Sequence, residues 1–116
     1  MSDEWTIFDQ ILAGKIPARI VYEDDDILAF EDIQPQAPVH VLVIPKHKQR
    51  SFDDLAELSP ELCGRLFGGA ARVARQLGLA ENGYRVVVNC GRDGQQTVNY
   101  IHLHLLAGRA MQWPPG

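Results

Sequence analysis

Only one stretch of the 116-residue chain carries the period of a long helix. Leu62, Leu66, Ala70, Val73, Ala74 and Leu77 recur at steps of three and four residues. Ser59-Pro60 supplies a start with proline at the first helical position, and Gly78 ends the run. Nearly everything else apolar is of strand length. Ile20-Val21-Tyr22 and Ile27-Leu28-Ala29-Phe30 flank the acidic turn Asp24-Asp25-Asp26 and read as a hairpin. Pro35 and Pro38 forbid helix and force a fixed loop into Val39–Ile44, which Pro45 closes. Tyr84–Asn89 and Tyr100–Leu106 are two more strands, with the turn Gly91-Arg92-Asp93-Gly94 between them. A short helix opens the chain, with Thr6 as its cap and Gly14 and Pro17 at its end, and Ser51 marks a further helix start. Helix, three strands, helix and two strands predict an α+β fold around a mostly antiparallel sheet.

A hydrophobic fraction of 46% over this length predicts one domain, residues 1–116, with a real core. The net charge of −4 offers no general pull toward nucleic acid or anionic lipid. The acidic start, Met1 to Trp5, is unlike a secretory signal, and no run has the roughly 18 to 20 apolar residues of a membrane helix. A cytoplasmic location is the expectation. Two cysteines without a C-x-x-C pair, Cys63 and Cys90, are expected to be reduced packing residues.

The chemistry is concentrated in Asn99–Leu106. Tyr100, His102 and His104 alternate with Ile101, Leu103 and Leu105, so a strand turns the first set to one face and the second to the other. Imidazoles two residues apart on a strand lie roughly 6.5 Å apart along it, within joint reach of one phosphate-sized group. A ring titrating near 6.5 suits one histidine to attack phosphorus while the other, protonated, donates to the leaving atom, with no cofactor required. His47, in the polar loop Lys46-His47-Lys48, reads as a surface residue.

Blocks along most of the chain resemble the histidine triad superfamily, specifically its Hint branch. They are Ile16-Pro17-Ala18; Tyr22-Glu23-Asp24-Asp25; Ala29–Ile33 running into Pro35–His40; Leu42-Val43-Ile44-Pro45-Lys46; His102–Arg109; and the closing Trp113-Pro114-Pro115-Gly116. This resemblance implies a homodimer with one sheet continued across both protomers, one nucleotide site per protomer, and a tail, including Trp113, that approaches the partner's site. It implies that His102 is the nucleophile, forming a nucleotidyl-histidine intermediate that water hydrolyses. His104 would contact the phosphate and leaving group, and His40 would support the catalytic ring. Asp32 would accept from the ribose hydroxyls, and Phe8, Ile11, Phe30, Ile33 and Leu42 would enclose a purine base. Leu42 reads equally well as core. Asn89 and Thr97 would donate to phosphate oxygens, although Thr97 also fits a turn hydroxyl.

Two positions depart from the family pattern. Gln95 replaces a glycine, and Tyr100 occupies the first position of the His-x-His-x-His triad, also a substrate-side position. A phenol cannot serve as a neutral-pH base, but the Tyr100 carbonyl remains able to hold the His102 tautomer. The implied reaction is hydrolysis of the P–N bond of a purine nucleoside monophosphoramidate. Dinucleoside polyphosphate hydrolysis, a non-catalytic nucleotide-binding module, and a zinc site built from His40, His102 and His104 stay open beside it.

Overall fold

The computed structural model describes residues 4–116, so the reading of the acidic start at Met1 to Asp3 lies outside the described residues. Helix α1 spans Ile7–Leu12, strands β1, β2 and β3 span Ile20–Glu23, Ile27–Glu31 and Val39–Pro45, and helix α2 spans Pro60–Gln76. Strands β4, Arg85–Val87, and β5, Leu103–Ala107, complete a sheet ordered β1-β2-β3-β5-β4. All its ladders are antiparallel. A 3-10 helix, Phe52–Glu57, follows Ser51.

Local chemistry explains both helix starts. Thr6 Oγ1 accepts from the Phe8 and Asp9 N–H groups while the Asp9 carboxylate accepts from the Thr6 N–H at 2.7 Å, a reciprocal capping box. Lys48 holds the same carboxylate at 2.9 Å. Ser59 caps α2 through the Leu62 N–H, with Pro60 at the first turn.

The sheet has a core on each face. Leu66, Ala70, Val73 and Ala74 of α2 pack on Ile27, Ala29, Val41, Val43, Leu103 and Leu105. On the other face Phe8 meets Leu28, Phe30, Leu42, Ile44 and Tyr100. The period of two along β3 therefore sorts His40, Leu42 and Ile44 away from α2.

Three expectations need correction. The last strand starts at Leu103, because the Ile101 N–H bonds the Gln49 carbonyl at 2.8 Å instead of joining the ladder. Strand β4 ends at Val87, leaving Asn89 in the loop beyond it. Cys90 is exposed in that loop, not packed, while Cys63 is half-buried.

Gly108 is one glycine whose backbone freedom is required. Its φ is +96°, and a Cβ there would lie 2.7 Å from Cβ of the rigid Pro38 ring. Gly108→Ala is expected to lower stability by about 1–3 kcal/mol in urea titration. An unchanged unfolding midpoint would show that this contact relaxes freely.

Candidate active site

A cleft of about 410 Å³ opens between α1, the loop after it, the β2 end and the segment before β5. Phe8, Ile11, Phe30, Ile33 and Leu42 line it, with Asp32, Thr97, His102 and His104 as polar groups. Leu42 is thus both core and wall. Ile7, Ile16, Pro17, Ala18 and Val98 also line it but were missed as site residues. Pro17 signalled a helix end, and only folding carries that end over the slot.

Four expected site residues lie outside this lining. Asn89 is half-buried beyond β4. Trp113 is 82% exposed and stacks on Arg85, whose guanidinium also donates to the Gln112 carbonyl at 2.9 Å. His40 stands behind His104, and Tyr100 is fully buried under Phe8 with its hydroxyl on the Pro45 carbonyl. The Tyr100 phenol therefore contributes to the core, not to the cleft.

The hydrogen-bond partners assign each ring nitrogen. His102 Nδ1 lies 2.8 Å from the Tyr100 carbonyl oxygen. A carbonyl only accepts, so Nδ1 carries the proton and the Nε2 lone pair is free. The Gln36 peptide N–H only donates, and it reaches His40 Nδ1 at 3.0 Å. Neutral His40 is consequently protonated on Nε2, which donates to His104 Nδ1 at 2.9 Å and faces Asp32 Oδ2 at 3.4 Å. Neutral His104 then keeps its proton on Nε2, a buried atom with no protein partner. A buried donor without an acceptor is costly, and here it belongs to a cleft-lining residue whose ring centroid lies 5.0 Å from that of His102.

Burial depresses all three imidazoles. His104 falls to about 4, through burial and then the neighbouring His102 and His40 rings, against a partial opposing pull from Asp32. His102 falls through burial, opposed by the Tyr100 carbonyl and Asp32, and His40 falls through burial, opposed by Asp32. Without substrate His104 is neutral at pH 7, not protonated as the sequence suggested.

The zinc trio left open by the sequence is not the group folding assembles. Among the described residues, the donors within 4.8 Å of one another belong to Asp32, His40 and His104, without His102. A cation there would need lone pairs at both His40 Nε2 and His104 Nδ1, whereas the Gln36 N–H keeps a proton on His40 Nε2. The donor set as folded does not fit a metal ion.

The HIT domain family model matches residues 13–111. The chain belongs to the HIT domain family. The adenylylsulfatase HINT1 of Arabidopsis thaliana is 50% identical over 99% of this chain and 79% of its own length. A 14 kDa zinc-binding protein of Zea mays is 51% identical over 100% of this chain and 91% of its own. The crystal structure of a HIT family hydrolase from Legionella pneumophila superposes with a TM-score of 0.89 at 48% identity, covering 95% of this chain and 98% of that one.

For this HIT domain, the structure shows what Tyr100 does at its unusual position. Its carbonyl holds the His102 tautomer, and its side chain fills the core behind Phe8. Burial raises the phenol above its ordinary value, so it stays neutral. Tyr100→Phe is expected to cost about 1–2 kcal/mol, because the Pro45 carbonyl loses its donor, while changing turnover less than about twofold. A large rate loss in a stable variant would give the hydroxyl a catalytic part.

Proposed function

We propose that the protein hydrolyses the P–N bond of a purine nucleoside monophosphoramidate. The observation that carries this reading is the pairing of the free lone pair on His102 Nε2 with the unpartnered Nε2–H of His104 in one cleft. The cleft volume is in the range of small-molecule sites, and its aromatic and branched walls suit a flat base. Asp32 and Thr97 line the cleft, where Asp32 would accept from ribose hydroxyls and Thr97 would donate to phosphate oxygens; Asn89 lies outside the lining.

In this mechanism His102 Nε2 attacks phosphorus and the P–N bond breaks. The leaving amine departs with a proton taken from solvent, while the Nε2–H of neutral His104 would donate to a phosphate oxygen and stabilise the charge that develops there. Water then attacks phosphorus, the P–His102 bond breaks, and the water proton is released to solvent. The products are the nucleoside monophosphate and the amine. No cofactor enters, and the His40 proton that obstructs a metal argues against zinc taking part.

Two further features support a homodimer. β4 is an edge strand with Val86 exposed, and the exposed Trp113 lies against Arg85 of that strand, so the tail runs beside an edge that a second copy would extend. No described helix is long and apolar enough to cross a membrane. A cytoplasmic protein remains our reading.

The Arabidopsis relative's name favours a second leaving group, sulfate. The same histidine would then cleave the P–O bond of an adenylyl sulfate. Hydrolysis of adenosine 5′-phosphoramidate, adenylyl sulfate and diadenosine polyphosphate, compared by kcat/KM, tests the assignment. Preference for the phosphoramidate supports it, preference for either rival replaces it, and AMP binding without any turnover establishes a binding module.

A further inference from the structure

The proton position on His104, a residue of the cleft wall, is set by groups outside the cleft. Arg109 Nη2 donates to the Gln36 carbonyl at 3.1 Å, and the Gln36 N–H donates to His40 Nδ1 at 3.0 Å. His40 Nε2 then donates to His104 Nδ1 at 2.9 Å. Residue 36 lies between Pro35 and Pro38, and Pro38 packs on Gly108 immediately before Arg109. The two chain segments that carry the lock are therefore pressed together by rigid backbone.

We infer that Arg109 and the Gln36 backbone are positioning groups that lock His40, and through it His104, in the tautomer that carries the His104 proton on Nε2. With Nδ1 of His40 protonated instead, its Nε2 would face His104 as an acceptor. His104 would have to protonate Nδ1, and its Nε2 would carry a lone pair in place of the N–H. One lost peptide contact thus reverses the polarity of an atom two hydrogen bonds away. Asp32 Oδ2, at 3.4 Å from His40 Nε2, favours the same tautomer from the other side. Loss of the lock therefore yields a mixture of tautomers, not full inversion. His102 is exempt, because the Tyr100 carbonyl holds it independently.

The catalytic consequence rests on the hydrolase reading, but the lock itself is visible without turnover. Long-range ¹H–¹⁵N spectra of ¹⁵N-histidine-labelled, ligand-free protein at neutral pH distinguish the two tautomers of each ring. The native protein is expected to show Nε2–H for His40 and His104 and Nδ1–H for His102. Arg109→Ala is expected to mix the His40 and His104 tautomers, leave His102 unchanged, and lower kcat about 10-fold with KM held within about twofold. Arg109→Lys, which keeps one cationic donor, should recover most of both signals. Gln36→Pro, which removes the N–H directly, reads the same effect should Arg109→Ala fail to fold. A native His40 protonated on Nδ1, or Arg109→Ala and Gln36→Pro spectra identical to native, overturns the inference. Native and variant tautomers as expected in a protein that hydrolyses none of the nucleotides sustains the lock and removes the hydrolase reading instead.

Discussion

His102→Ala is expected to lower phosphoramidate turnover by about 10⁴-fold or more while leaving AMP affinity within about threefold. Removing a nucleophile deletes the covalent route, and losses of that order or larger accompany its removal where the remaining groups act as a unit. Affinity is retained because the apolar cleft wall and Asp32 stay in place, and the removed ring contributes an edge contact to Phe8, 5.0 Å between centroids. Steady-state kinetics with AMP titration checks both halves. Retained turnover would move the nucleophile to another group. Lost binding together with lost turnover would make His102 structural, and thermal unfolding of the variant would show it.

Acidification from pH 7 to pH 5 is expected to destabilise the protein by about 2 kcal/mol from His104 alone, and further through His40 and His102 in the same direction. The folded His104 value is about 4 against an ordinary 6.5, so the unfolded chain binds the proton first as pH falls. The stability is fully present above 6.5 and is lost progressively as pH falls through the folded value near 4. Asp9 and Asp24 are also depressed, but from 3.8, so their contributions vanish at lower pH and leave the window between 6.5 and 5 to the histidines. Catalysis follows the same direction, since a protonated His102 has no lone pair. The acid limb of kcat/KM is expected below the ordinary imidazole range. Urea titrations at pH 7 and 5 measure the stability change, and equal free energies would show that the rings are hydrated in solution.

The organisation of the sheet was legible because its signals are local. Alternation in Ile101–Leu105, prolines at 35, 38 and 45, and the three-and-four spacing of α2 each act through backbone geometry within a few residues. The capping residues Thr6 and Ser59 belong to the same class. The pairing of His102 with His104 was legible for the same reason, and the resemblance of whole blocks to the HIT pattern pointed to five apolar residues that line the cleft.

What the sequence by itself determined was therefore the element order, the apolar faces and the identity of the histidines. The tertiary structure decided their protonation. A tautomer depends on which group lies opposite each ring nitrogen, and here those groups come from Gln36, from the Tyr100 carbonyl and from a second strand 64 residues away. Burial is equally nonlocal: the sequence put Tyr100 beside the His102–His104 pair, but Phe8 of α1 covers it and converts an expected site position into core. Local pattern sets where a side chain points, whereas only the folded neighbours set its charge, its proton and its access to substrate.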